Sequence, residues 1–333
     1  MIKIGVIGYG YWGPNIVRNF QGLEQGSVKA VCDLNPKNLA RVRKSYPAIE
    51  TTADSRDICA GPDIDAVAVI TPVASHYPLV KSALEHGKHV FVEKPFTSSV
   101  AQAEELIGLA ERKNLKIMVD HTFLFTGAVR KIKELLETDV LGTLYYYDSV
   151  RVNLGLFQND VNVIWDLAAH DFAIMQHLIP HRPEALVATG AKHVNGIEDV
   201  AYITVYFSGN VIAHFNVNWL SPVKVRRTLI GGEKKMLVWN DLEPDEKIKV
   251  YDKGVTKADG DGVYELLVSY RMGDIWAPRL DQAEALKVET QYFIDCIEKD
   301  EKPFNDGAAG LKVVAMLEAA DRSLANRGGM VAL

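Results

Sequence analysis

Apolar and polar positions follow one rule over roughly the first 120 residues of the chain and another over the rest. In the first stretch, short runs with almost no polar face recur at Ile2–Ile7, Val28–Asp33, Ile64–Ile70, His89–Val92 and Lys116–Val119. Runs of that kind predict strands covered on both faces. Between them, Asn38–Tyr46, Ala74–His86 and Ser98 to about Lys113 carry helical spacing, with Asp54 and Ser98 placed to cap helices and Gly87 to stop one. Strands alternating with helices call for right-handed crossovers and an open parallel sheet, a doubly wound α/β domain over residues 1–121.

From residue 122 to 333 the period changes. Helical segments at Ala128–Glu137 and Val163–Leu178 flank a strand at Thr143–Asn153. Alternating runs then follow at Ala185–His193, Val200–Phe207, Val211–Leu220, Val225–Gly231 and Lys235–Trp239, with Ser208-Gly209-Asn210 as a hairpin turn. Successive strands predict an α+β domain with a large, mostly antiparallel, open-faced sheet, closed by helices at about Ala283–Lys299 and Gly307–Ala325. Strands as aromatic as Tyr202–Phe207 and His214–Trp219 leave one sheet face ill suited to water. That face is expected to be buried in a homo-oligomer, a dimer or tetramer.

Chemistry enters at the end of the first strand. Gly8, Gly10 and Gly13 stand at the G-x-G-x-x-G spacing where a buried strand turns into a helix. The first glycine permits the tight turn, the second admits a pyrophosphate to the backbone, and the third lets the helix pack on the strand. Twenty residues after Gly13, Asp33 ends the second strand where an NAD ribose would be hydrogen-bonded. A helix cap before Asn35-Pro36 is a compatible second role for it. An acid there, with no arginine directly after it, favours NAD over a cofactor carrying a 2′-phosphate. Tyr11 and Trp12 are bulky for such a loop and are expected to cover the cofactor phosphates or reach toward substrate.

Ligands of parallel sheets gather beyond the carboxyl ends of the strands. Here those ends offer Thr71-Pro72 with His76 just beyond, Glu93-Lys94-Pro95, and Asp120-His121. Lys94 is the sharpest of these, because an ammonium at a strand end can hydrogen-bond a substrate oxygen and, when burial lowers its pKa, carry a proton. Pro95 restricts the local backbone and allows a cis bond. In the second region Trp165 precedes Asp166, and His170 lies four residues after Asp166. On a helix that spacing puts the acid and the imidazole on one face, the arrangement of an oriented general base. Two such groups without a third ligand make a poor metal site, and no metal is expected.

Composition narrows the class. The chain of 333 residues, 48% hydrophobic and 24% charged, suits two globular domains. A net charge of -6 without a Lys/Arg block offers no footprint for nucleic acid. No apolar stretch approaches the length of a membrane span, and no signal-like leader precedes the first strand, so neither membrane insertion nor secretion is expected. Cys32, Cys59 and Cys296 form no paired motif, which fits a reducing cytoplasm.

Taken together, Gly8-Tyr9-Gly10-Tyr11-Trp12-Gly13, Glu93-Lys94-Pro95, the Asp166/His170 pair, Gly273-Asp274 and Pro303-Phe304-Asn305-Asp306-Gly307 resemble the Gfo/Idh/MocA family of sugar and cyclitol oxidoreductases over the full length. The resemblance implies an NAD-dependent dehydrogenase whose catalytic residues are Lys94, Asp166 and His170, set where a nicotinamide faces a sugar C–H between the two domains. Which of Lys94 and His170 is the base stays open. The stretch from Arg151-Val152-Asn153 to Trp165-Asp166 and the opening Gly-Tyr-Trp-Gly-Pro-Asn resemble members that oxidise the C3 hydroxyl of UDP-N-acetylglucosamine or its uronic acid. On that reading Arg151, Asn153, Trp165, Arg271 and Arg279 are candidate substrate contacts, with ordinary surface roles as the alternative. The rivals are a dehydrogenase of free sugars or inositols, a 3-ketosugar reductase, and a non-catalytic NAD-binding sensor. The Gly/Asp-rich segment 260–262 reads as a turn.

Overall fold

The structure, a computed structural model, describes residues 1–155, 157–158, 161–257 and 268–333; the turn expected at 260–262 lies outside them. Two compact units divide the chain, one formed by Met1–Phe125 with Ala283–Glu318 and the other by Thr126–Gln282 with Ala319–Leu333.

The first unit begins β1 (Ile2–Ile7), α1 (Gly13–Gln21), β2 (Gly26–Cys32), α2 (Pro36–Ser45), β3 (Glu50–Thr52) and α3 (Ser55–Cys59). It continues β4 (Ala66–Val69), α4 (His76–Glu85), β5 (His89–Glu93), α5 (Val100–Lys113) and β6 (Ile117–Asp120). All six strands are parallel, in the order β3-β2-β1-β4-β5-β6. The order reverses between β1 and β4, the switch point at which such sheets bind their ligands. Ala66–Val69 are all without solvent exposure, as an unbroken apolar run in a doubly covered strand requires. Short β3 carries no apolar run, so periodicity passes over it. Asp54 caps α3 as expected, whereas α5 is capped by Ser99, not Ser98, through its side chain and the Gln102 amide. Asn35, not Asp33, caps α2.

The second unit holds α6 (Gly127–Glu137), β7 (Leu144–Leu154), α7 (Ala169–Leu178), β8 (Pro183–Ala191), β9 (Val200–Phe207) and β10 (Ile212–Asn218). Then come β11 (Leu220–Gly232), β12 (Met236–Asn240), β13 (Ile248–Lys257) and β14 (Val268–Trp276). After α8 (Ala285–Glu298) and α9 (Gly307–Ala325), β15 (Val331–Ala332) pairs with β8. The nine strands run in the order β14-β13-β12-β11-β7-β10-β9-β8-β15 and are antiparallel except for the β10–β7 pair. One face carries buried Ile203, Val205, Ala213, Phe215 and Val217, with Phe172 of α7 edge-on to Phe215 at 5.2 Å between ring centroids. Their alternates Tyr202, Tyr206 and Ile212 are exposed.

Helix α8 packs in the first unit for a visible reason. Phe293 meets Phe20 of α1 and Phe91 of β5 edge-on, with centroids 6.2 and 5.7 Å away, and all three rings are fully buried. Asn305 then aligns with β6, its amide nitrogen donating to the Val119 carbonyl at 2.8 Å while its own carbonyl accepts from the Val119 N–H at 2.9 Å.

Candidate functional site

In the first unit the glycine loop has the form its spacing predicts. Gly8 has φ +102°, and a Cβ there would lie 2.1 Å from the Ile70 carbonyl oxygen; a Cβ on Gly13 would lie 2.4 Å from the Gly8 oxygen. Both positions exclude a side chain for reasons internal to the fold. Gly10 differs: a Cβ there would meet nothing within 4 Å, so its surface is open to a ligand. Asp33 reaches back to the same loop, one oxygen accepting from the Tyr9 amide at 2.7 Å and from Asn38 Nδ2 at 3.1 Å, the other from the Asn35 amide at 2.7 Å. These bonds hold the carboxylate at the strand end and leave lone pairs for ribose hydroxyls. An open Gly10 backed by a braced acid fits a dinucleotide.

The bulky residues of the loop part company. Tyr9 is buried beneath Arg41, Tyr11 is 90% exposed, and Trp12 turns its indole N–H to Asp120 Oδ2 at 3.0 Å.

Glu93 ends β5 and Lys94 follows it, and the Lys94-Pro95 bond is cis. His76, fully buried at the start of α4, lies between two carbonyls, Nε2 at 2.7 Å from Thr71 O and Nδ1 at 2.9 Å from Pro95 O. It thereby ties the segment after β4 to the segment after β5. Burial lowers its pKa and the charge of Lys94 adds to the effect, which keeps the ring neutral, with one proton to donate to one of the two carbonyls. His121 is also buried, and neither ring nitrogen has a hydrogen-bond partner among the described residues. Burial first, and Lys94 second, push its pKa down to about 3. Two neutral imidazoles beside one ammonium keep that part of the unit from carrying several positive charges.

In the second unit the expected single helix over 163–178 is broken into a π-helical turn, Ile164–Ala168, followed by α7. Asp166 lies in that turn and His170 in the first turn of α7, and such wide turns often mark functional sites. Asp166 Oδ2 accepts from the indole N–H of buried Trp219 at 3.0 Å, which fixes the carboxylate. Trp219, in the one-residue step between β10 and β11, had no sequence signal beyond its aromatic character.

Of the substrate candidates, two have structural employment. Arg151 is 5% exposed, and its Nε and Nη2 reach the two oxygens of Asp171 at 2.9 and 3.0 Å, a bidentate buried pair on the helix-covered side of the sheet. Arg151, expected as a candidate substrate contact with an ordinary structural role as the alternative, thus has its guanidinium engaged by Asp171. Trp165 is likewise buried, its indole N–H donating to Asp321 at 2.7 Å. Arg271 is exposed on β14 and bonds Asp252 at 3.1 Å; Arg279 is exposed, and Asn153 is half-buried. The sequence marks Asp120 only as part of a strand end and gives no sign of Glu289, since nothing around it on α8 distinguishes it from other helix acids. Among the described residues, no group of three or more His, Cys, Asp or Glu side chains is placed to hold a metal ion, and no helix is long and apolar enough to cross a membrane. All three cysteines are buried and free.

Comparison with known proteins agrees with this construction. Residues 2–121 match the oxidoreductase family with an NAD-binding Rossmann fold, and residues 129–238 match the GFO/IDH/MocA C-terminal domain. The uncharacterized oxidoreductase YrbE of Bacillus subtilis is 27% identical over 64% of this chain and 65% of that protein. UDP-N-acetylglucosamine 3-dehydrogenase of Acidithiobacillus ferrooxidans is 24% identical over 94% of both chains, and its crystal form superposes with a TM-score of 0.81 over 98% of both. Scyllo-inositol dehydrogenase of Lactobacillus casei, solved with NAD(H) and scyllo-inositol, has a TM-score of 0.82 at 20% identity, covering 100% of this chain and 99% of that one. With both of its domains matched and its glycine loop intact, this chain belongs to the Gfo/Idh/MocA oxidoreductases, and its first domain is an NAD-binding Rossmann fold.

Proposed function

We propose that this chain is an NAD-dependent dehydrogenase of a nucleotide-linked sugar, oxidising a ring hydroxyl, C3 of a UDP-N-acetylhexosamine such as UDP-N-acetylglucosamine or its uronic acid. The observation that carries the reading is that Lys94 follows β5 while Asp166, fixed by the Trp219 indole N–H, stands in the π-helical turn just ahead of His170. The full-length likeness to a UDP-N-acetylglucosamine 3-dehydrogenase supports the choice of substrate.

When bound, NAD supplies a hydride acceptor. In this reading Gly8, Gly10, Tyr11, Trp12 and Gly13 hold its phosphates, Asp33 its ribose, and Thr71, Pro72, His76, Glu93, Lys94 and His121 line the strand ends. His170, oriented by Asp166, accepts the hydroxyl proton, and Lys94 hydrogen-bonds the oxygen as its bond order rises; the converse assignment makes Lys94 the base. Asn153, Arg271 and Arg279 are the polar contacts left for the nucleotide once Arg151 and Trp165 are set aside. Lys94→Ala should lower kcat about a thousandfold while leaving NAD affinity within about twofold of wild type. Near-normal turnover in that variant sinks the assignment of Lys94. Following NADH absorbance with UDP-N-acetylglucosamine, its uronic acid, myo-inositol and glucose decides the substrate. Faster turnover of inositol or glucose makes it a cyclitol or free-sugar dehydrogenase. Tight NAD binding without reduction on the whole panel makes it a sensor.

The exposed face of the nine-stranded sheet, with Tyr202, Tyr206 and Ile212 in the open, is in this reading covered by a second copy of the chain in a dimer or tetramer. Sedimentation of wild type and Ile212→Glu checks it: the wild type should be oligomeric and the variant smaller. A monomeric wild type overturns it.

A further inference from the structure

At the far end of β6 lies a carboxyl pair that the reading above does not use. Asp120 is 2% exposed and Glu289, on α8, has no exposure at all. Asp120 accepts from the Trp12 indole N–H at 3.0 Å and from the Thr122 hydroxyl. Glu289 Oε1 accepts from Asn305 Nδ2 at 3.3 Å, while Oε2 finds no N–H or O–H donor among the described residues. The Asp120 and Glu289 carboxyl groups lie close enough for each to act on the other.

We propose that Glu289 is a positioning residue for the cofactor loop, donating a hydrogen bond to Asp120 and so holding the Trp12 indole in place beside Gly10 and Gly13.

The chemistry of the contact assigns the proton. Two buried carboxyl groups in contact cannot both be ionised, so the pair carries one proton and one charge. Asp120 has two donors aimed at it and suits the charge; Glu289 Oε2, with none, suits the proton. Burial, the Asp120 charge and then Glu93 all push Glu289 well above the ordinary carboxylate range. A helix almost 280 residues away in sequence thus reaches the dinucleotide loop through Asp120, since Glu289 and Trp12 both lie in the first unit.

The inference needs NAD binding and not the sugar assignment, and direct NADH titration tests it without turnover. Glu289→Gln keeps a donor of the same size and should bind NADH within about twofold of wild type; Glu289→Met removes the donor and should weaken binding about tenfold. Nuclear magnetic resonance of the labelled indole N–H supplies a second readout, in which the Trp12 signal should shift in the Met variant and stay put in the Gln variant. If Glu289→Met does not fold, Glu289→Asp, which withdraws the donor by one methylene, takes its place with the same expectation. A Met or Asp variant that loses thermal stability but keeps wild-type NADH affinity and an unmoved indole signal shows a purely structural residue and overturns the proposal. So does a Gln variant as weak as the Met variant. Failure of every sugar to react leaves these titrations unaffected.

Discussion

Gly8 and Gly10 belong to one motif, yet replacing each with alanine should damage different properties. At Gly8 the added methyl carbon would sit 2.1 Å from the Ile70 carbonyl oxygen and 2.7 Å from its carbon, in a backbone already at φ +102°. Neither partner can withdraw cheaply. The Gly8 amide is bonded to Cys32 O at 2.8 Å and the Ile70 amide to Ile7 O at 2.7 Å, so relief disturbs three central strands. Backbone strain of about 1–3 kcal/mol and overpacking of about 1–3 kcal/mol give an expected loss near 4 kcal/mol. At Gly10 the methyl meets open space, and stability should move by less than about 0.5 kcal/mol. The same methyl occupies the surface that the cofactor must approach, so NADH affinity should fall about tenfold or more. Urea unfolding followed by tryptophan fluorescence, run beside NADH titration, separates the two effects. Gly10→Ala binding NADH like the wild type, or losing as much stability as Gly8→Ala, would refute the reasoning.

Asp171→Ala should cost about 3–5 kcal/mol in urea unfolding, because buried Arg151 would lose the carboxylate that its guanidinium meets in a bidentate pair; combining it with Arg151→Met should recover much of the loss. Acid stability should depend on His121. Its folded pKa of about 3 lies below the ordinary value of 6.5, so the unfolded chain binds the extra proton and stability falls as pH drops from about 6.5 toward 3. His121→Leu should flatten that limb by up to about 5 kcal/mol in pH-dependent unfolding. His76, His89 and His177 are shifted in the same direction and keep part of the slope. An unchanged acid limb in His121→Leu argues against a buried neutral ring.

Local pattern by itself determined a good deal of this protein. Unbroken apolar runs announced the parallel strands, since a strand covered on both faces has no polar side to show. The Gly8-Gly10-Gly13 spacing and Asp33 marked a dinucleotide loop, because glycine needs and a strand-end acid are legible residue by residue. Alternation from Ala185 to Trp239 announced the second sheet, and the Ser208-Gly209-Asn210 turn its hairpin.

Tertiary structure alone decided the rest, through contacts between residues far apart in the chain. Arg151 reads as an available cation until Asp171 arrives from α7 and buries it. Strands β13 and β14 escaped notice because their charged and aromatic residues do not alternate cleanly. The π-helical turn at Ile164–Ala168 interrupts a sequence that carries helical spacing throughout, so period gives no hint of it. Helix α8 returns to the first unit because Phe293 completes a three-ring cluster with Phe20 and Phe91, and that return brings Glu289 against Asp120. Periodicity records which face of an element is buried; it holds no record of what the buried face meets, and a buried carboxyl pair has meaning only once both partners are in place.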